Sequence, residues 1–215
     1  RLSQTAALLR QGITDLGMFL PPSTADRLLD YLALLAKWNR VYNLTAIHEE
    51  TKWVSHHLLD SLAVVPHLPP GRLVDVGSGA GLPGIPIAVA CPDRQLTLLD
   101  SNQKKGAFLT QSCAELALSN VKVVIGRAES YRPAAPFDVV ITRAFSSIAD
   151  FIRLAGHFCS AGGAVAAMKG ARPDAEIAQL PDPWRAESII PLHVPRLDAK
   201  RHLVMLRSGA TAGEL

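Results

Sequence analysis

The sequence is poor in the features that would settle its class at once. Its 215 residues hold three cysteines, Cys91, Cys113 and Cys159. They are odd in number and far apart, which excludes a disulfide framework and a cysteine metal cluster. Buried thiols in a reducing cytoplasm are the expectation. No apolar run approaches the roughly 20 residues needed to span a bilayer. The opening residues lack the basic-then-apolar order of a secretory leader, so no membrane is expected. Charge is scarce too: 19% of residues are charged, the net charge is +3 and the pI is about 8.9. That balance permits a nucleic-acid partner without requiring one. Internal repeats and low-complexity segments are missing. What remains is globular, 48% hydrophobic, and long enough for one full-sized core with a small appended piece. A monomer is the expected assembly.

Helical periodicity dominates the first third. Residues 3–20 read as an amphipathic helix ended by Pro21-Pro22. Ser23 with Asp26 fits a capping box. Leu28, Leu29, Leu32, Leu35 and Trp38 then recur at helical spacing, with Trp38 a core aromatic. A third helix is expected over 51–65. Pro69-Pro70-Gly71 mark a junction. Beyond it, strands at 73–76, 96–99, 121–125, 137–141 and 164–168 alternate with helices at 84–91, 103–118 and 147–158. That alternation predicts an α/β protein with a parallel sheet covered on both faces. A helix near 173–180 and strands at 186–192 and 202–206 follow, close enough for an antiparallel hairpin at the edge of the sheet. Residues 1–66 thus read as an N-terminal helical subdomain and 67–215 as the core, packed as one compact unit.

The stretch DVGSGAGLPGIP, residues 75–86, stands where the first strand gives way to a helix. Gly77, Gly79 and Gly81 would let backbone turn sharply and touch a ligand at the strand end. Gly79 to Gly84 even satisfies the dinucleotide pattern G-x-G-x-x-G. Three details oppose a dinucleotide. Asp75 would repel a pyrophosphate but welcome an ammonium. Gly79 begins the pattern late, four residues past that acid. Pro83 and Pro86 remove backbone donors from the helix start. No G-K-[ST] follows, so the loop is not a P-loop. S-adenosylmethionine, with a cationic methionine-like end and an adenosine end, fits better. Asp100 ends the second strand and could hold both ribose hydroxyls, although NAD would use it equally. Gly126-Arg127-Ala128-Glu129 follow the third strand, where a backbone N–H and a carboxylate could read the adenine edge.

From about Leu28 to Arg207 the chain resembles the bacterial small-subunit ribosomal RNA methyltransferase G family, once called glucose-inhibited division protein B. The resemblance is carried by WNRVYNLTA (38–46), HHLLDSL (56–62), DVGSGAGLPGIP, LLDSNQKKGAFL (98–109), ITRAF (141–145), MKG (168–170) and VPRLDAKRHLV (194–204). It implies a class I, Rossmann-like methyltransferase that uses S-adenosylmethionine to methylate N7 of one guanine in a conserved loop of 16S ribosomal RNA. The partner would be that RNA, or the 30S subunit or its precursor. The resemblance implies cofactor contacts at Gly77, Leu82, Ala128, Glu129 and Arg143.

The residues can test that resemblance. Methylation of an exocyclic amine usually comes with an Asn/Asp-Pro-Pro-aromatic turn after the fourth strand, where this chain has Thr142-Arg143-Ala144-Phe145. Methylation at pyrimidine carbon five needs a cysteine nucleophile, and all three cysteines are expected in helices or at helix ends. N7 of guanine needs neither device; orientation and fixed dipoles do the work. Arg143 is read as the ligand of the cofactor carboxylate or of an RNA phosphate. Phe145 and Tyr42 are candidate stackers for an unstacked base. Asn39 and Asn43 are candidates for the base pocket. Lys104, Lys105, Arg127, Lys169, Arg172, Arg196, Lys200, Arg201 and His202 could meet RNA phosphates. His56 and Asp60 lie one turn apart like half of a metal site, but no third ligand accompanies them. Structural hydrogen bonds are expected there and no metal. Other readings stay open: a small-molecule or protein acceptor, a dinucleotide-binding oxidoreductase, or a non-catalytic RNA-binding module.

Overall fold

The structure is a computed structural model that describes residues 2–143 and 145–209. Seven strands form one sheet: β1 (Leu73–Val76), β2 (Leu96–Asp100), β3 (Val121–Ile125), β4 (Phe137–Thr142), β5 (Cys159–Lys169), β6 (Trp184–Leu192) and β7 (Arg201–Ser208). Their spatial order is β3-β2-β1-β4-β5-β7-β6. The first five strands run parallel, and β7 runs antiparallel to both β5 and β6. The chain builds outward from β1 through β2 to β3, then returns to lay β4 on the other side of β1. That reversal is the switch point at which open α/β sheets hold ligands, outside the carboxyl ends of the strands.

Strand parity then sorts the site. Leu73 and Asp75 face one layer; Val74 and Val76 face the other. The first layer holds helices α1 (Leu2–Asp15), α2 (Pro22–Tyr42), α3 (Asp60–Leu62), α4 (Gly84–Ala90) and α5 (Gln103–Glu115). Their apolar sides share one continuous core with the sheet, in which Leu9, Leu28, Leu35, Leu59, Phe108 and Ile141 are all buried. The second layer holds α6 (Ile148–Ala155) and α7 (Asp174–Ile177). Phe137, Phe151 and Phe158 fill it. Long-range bonds fasten α2 to the sheet-bearing part: the Tyr31 hydroxyl donates to the Ala80 carbonyl at 2.6 Å, and Arg27 donates to the Leu116 and Ala117 carbonyls at 2.6 and 3.4 Å.

Several local expectations are corrected. Helix α1 stops at Asp15, because Gly17 takes a left-handed φ of +70°. Gly17 and Met18 then donate back to Thr14 and Ile13, a closing pattern that Gly favours. Ser23 and Asp26 make no capping box. Pro21 occupies the cap and Pro22 the first helical turn, where its missing N–H costs nothing, and Asp26 pairs with Arg10 at 2.8 Å. The segment 51–65 is not one helix. A 3-10 turn, Glu50–Lys52, leads into a π-helix, Val54–Leu59, and then into α3. Cys159 opens β5 rather than ending a helix, and all three thiols are half-buried. Ala144 lies outside the described residues.

Candidate active site

The glycine loop extends the sheet by one more step: the Gly77 and Ser78 amides both donate to the Leu99 carbonyl, at 2.8 and 3.1 Å. Gly77, Gly79 and Gly81 all have positive φ. A Cβ on Gly81 would strike Ile85, whereas one on Gly77 would meet nothing within 4 Å. Gly77 therefore faces open space and Gly81 faces the core. Asp75 is wholly buried behind the loop. Its Oδ2 accepts from the Ser78 hydroxyl at 2.7 Å and the Gly84 amide at 2.9 Å, while Oδ1 is buried with no partner. Burial pushes this carboxyl up to about 6, against the lowering by those two bonds and by the charge of Arg143.

On the second-layer side of the loop lies a cleft of about 480 Å³. It is lined by Val76, Gly77, Leu99, Asp100 and Ser101, by Lys105, by Gly126 to Glu129, and by Thr142, Phe145 and Leu154. Asp100 is nearly buried; its two oxygens accept from the Gly79 and Asn102 amides at 2.8 and 2.9 Å and keep lone pairs for a ligand. Phe145 packs on Phe151 with ring centroids 5.0 Å apart, and its carbonyl accepts from Lys169 at 3.2 Å.

On the first-layer side, Arg143 leaves β4 into a polar cage. Its Nη2 lies 3.3 Å from His57 Nδ1. Its Nη1 stands 3.8 Å from Asp60 Oδ2 and is buried without a hydrogen-bond partner. His57 Nε2 lies 2.9 Å from the Thr45 hydroxyl, and Arg201 Nε donates to Asp60 Oδ1 at 2.9 Å. Burial and the Arg143 charge press the His57 ring down to about 4, so it is neutral at physiological pH. Burial raises the Asp60 carboxyl, against the pull of Arg143 and Arg201.

A family model described as rRNA small subunit methyltransferase G matches residues 24–204. The chain belongs to that family. Proteins named ribosomal RNA small subunit methyltransferase G are 51% identical in Ralstonia nicotianae, over 97% of this chain and 98% of that protein, and 52% identical in Methylobacillus flagellatus, over 92% and 96%. The fold is that of S-adenosylmethionine-dependent methyltransferases. A glycopeptide N-methyltransferase, MtfA, complexed with S-adenosylhomocysteine superposes with a TM-score of 0.61 at 10% identity, over 71% of this chain and 87% of that one. An S-adenosylmethionine-dependent methyltransferase of Aquifex aeolicus gives 0.56 at 12% identity, over 80% and 97%.

As a member of the methyltransferase G family, the chain is an S-adenosylmethionine-dependent enzyme, and its residues fit that cofactor. The cleft is of the size that encloses a small ligand and carries an acid in its lining. Behind the loop lie one buried acceptor and one buried donor without partners, Asp75 Oδ1 and Arg143 Nη1. A zwitterionic amino-acid end offers the complementary pair. A pyrophosphate would find no donors at the start of α4: Pro83 and Pro86 have none, Gly84 gives its own to Asp75, and Ile85 gives its own to the Gly81 carbonyl.

Of the cofactor residues read from sequence, Gly77, Asp100, Ala128 and Glu129 line the cleft. Asp75, Gly81 and Leu82 are buried behind it, Gly79 is tied to Asp100, and Arg143 stands in the cage. The cations divide. Arg196 and Lys200 are exposed. Lys169 instead pairs with Glu176 at 2.9 Å, Arg201 with Asp60, and His202 Nδ1 with the Gly170 carbonyl at 2.8 Å. Tyr42 is 42% exposed, its ring tilted by 39° against Trp38, with the Lys104 ammonium 5.7 Å from its centroid. The Asn39 Oδ1 accepts from the Thr45 amide at 3.0 Å, and Asn43 caps α2 in a left-handed conformation with φ 48°. The residues missed from sequence are Thr45 and Glu176, and the bond that Arg143 donates to His57. HHLLDSL was the one available signal. Among the described residues no group of three or more His, Cys, Asp or Glu side chains is placed to hold a metal ion.

Proposed function

We propose that this chain methylates N7 of a guanine in 16S ribosomal RNA, with the adenosine of S-adenosylmethionine in the cleft and its amino-acid end between Asp75 and Arg143. The observation that carries the reading is the pair of buried, unpartnered polar atoms behind the glycine loop. Each would otherwise cost about 1–3 kcal/mol of unrecovered desolvation. Arg143 Nη1 takes the carboxylate and Asp75 Oδ1 the ammonium, with Gly77 at the join. Asp100 holds the ribose hydroxyls, and the Ala128 backbone with Glu129 reads the adenine edge.

The bound cofactor supplies an electrophilic methyl group on a sulfonium sulfur. N7 offers an in-plane lone pair and carries no proton, so no residue has to act as a base. Nor is a thiolate available to attack: burial pushes Cys113 and Cys159 up to about 11. The protein's work is alignment. Phe145 and Tyr42 offer ring faces to an unstacked base. Asn43 presents an exposed amide, and Asn39 acts through Thr45. Arg196, Lys200, Arg127 and Lys104 meet phosphates of the RNA, either in the 30S subunit or in its precursor, where the docked particle adds affinity that a net charge of +3 does not provide. Among the described residues no helix is long and apolar enough to cross a membrane; work in the cytoplasm, as a monomer, is part of the proposal.

The test is methyl transfer from radiolabelled S-adenosylmethionine to 16S RNA and 30S subunits, followed by mapping of the product. One 7-methylguanosine is expected, absent from cells that lack the gene. A methylated exocyclic amine, or transfer to free guanosine as fast as to RNA, would overturn the reading.

A further inference from the structure

Arg143 has five N–H donors and a long stem, so something must decide which way its fork points. Among the described residues the directional bond on it comes from His57 Nδ1, at 3.3 Å. That nitrogen must be an acceptor, because a guanidinium can only donate. The ring proton then sits on Nε2 and is donated to the Thr45 hydroxyl at 2.9 Å. The Ile47 amide donates to the same hydroxyl at 3.1 Å, which fixes it in place. His57 is buried while its neighbour His56 is not, and both belong to the π-helix Val54–Leu59. Such widened turns redirect side chains relative to an α-helix.

Asp60 would be the natural fork partner, but it does not take that place. Arg201 occupies its Oδ1 at 2.9 Å, and Oδ2 stays 3.8 Å from Arg143 Nη1, beyond hydrogen-bond reach. The acid compensates charge and leaves the donor free. A carboxylate bonded at the position of His57 would orient Arg143 equally well but would also neutralise it, weakening its pull on an anion. A neutral ring orients without discharging.

We propose that His57 is the positioning residue of Arg143: its neutral ring holds Nη2, so that Nη1 is aimed at the cofactor carboxylate. This rests on the assignment of Arg143 to that carboxylate. The test uses the full chain, calorimetric binding of S-adenosylmethionine and single-turnover methylation. His57→Asn puts an amide oxygen where Nδ1 lies and should bind the cofactor within a factor of about three of wild type. His57→Gln reaches the Nε2 position but has no acceptor for Arg143; its Kd should rise about tenfold, one charge-assisted bond's worth, with the single-turnover rate at saturating cofactor retained. In an Arg143→Ala background, His57→Gln should add nothing further. If Arg143→Ala itself binds normally, the underlying assignment fails. If Arg143→Ala binds weakly but the His57 variants match each other, or the two losses multiply, this inference alone fails. Equal drops in melting temperature without a split in Kd would make His57 merely structural.

Discussion

The two halves of the candidate site are built in opposite ways. The cleft on the second-layer side is made largely of backbone, small residues and aliphatic side chains, with one aromatic ring, Phe145, and two cations, Lys105 and Arg127, in its lining. The cage on the first-layer side is polar: buried Asp75 and Asp60, a buried neutral His57 and a partly buried Arg143. The cleft has room and few fixed directions. The cage has fixed directions. A ligand with a bulky aromatic end and a compact zwitterionic end suits both at once. Space can be offered open, since an empty cleft is simply filled with water. Unpaired charge cannot stand open without being solvated, so it must be buried and wired in advance.

Filling the space should have the largest effect. Gly77→Val places a branched side chain into the open side of the loop at a φ of +73°. The left-handed conformation costs about 1–2 kcal/mol in a side-chain-bearing residue, more when branched. The cage lies behind the loop and keeps its bonds, so the protein should fold with a lowered melting temperature and lose detectable cofactor binding by calorimetry. Unchanged affinity would place the ligand elsewhere.

A smaller effect is expected at Asp100, which belongs to the cleft but is wired like the cage. It accepts from two backbone amides. Asp100→Asn keeps the shape, but its amide nitrogen must face one of those N–H groups, and it offers the ribose one fewer acceptor. The loss should be about 1.5–3 kcal/mol, roughly ten- to hundredfold in Kd. Wild-type affinity in this variant would mean that the adenosine does not use the end of β2.

How much of this contrast the amino-acid order carries also differs between the halves. The cleft was legible: short apolar runs ending at Asp75, Asp100 and Thr142, each followed by glycine or a turn, put three strand ends together. Periodicity with period two and period 3.6 encodes which faces are apolar, and the parallel sheet follows. The cage was not legible. His57 and Arg143 are 86 residues apart, and Asp60 and Arg201 are 141 apart. Such pairs depend on three-dimensional register, and a lone charge looks the same in sequence whether it ends in solvent or in a cage. Lys169 and Arg201 therefore looked like free RNA contacts and turned out to hold Glu176 and Asp60. The π-helix escaped for a related reason, since its extra residue per turn shifts the apolar stripe by less than a short segment reveals.

The smallest effect, and the one that isolates the cage, is in the pH dependence of stability. His57 is held down at about 4, below its ordinary 6.5. In that window the unfolded chain binds a proton that the folded chain refuses, so this contribution is present above 6.5 and is lost as the pH falls towards 4. Asp75 is pushed up to about 6 from 3.8. Here the folded chain holds the proton, so the contribution is present below 3.8 and is lost as the pH rises through 6. Asp60, also raised, adds to the second trend. The two slopes oppose each other between about 4 and 6, and the cage as a whole should be nearly indifferent to pH there. Removing one member exposes the other. Asp75→Asn should lose stability on acidification from pH 6 to 4, relative to wild type, and His57→Asn should gain it. Other carboxylates contribute the same background to all three proteins and cancel in the difference. Urea titrations at pH 4, 5 and 6 measure both slopes. If the two variants shift in the same direction, the buried acid and the neutral ring do not coexist in the cage, and the contrast with the open cleft loses its electrostatic half.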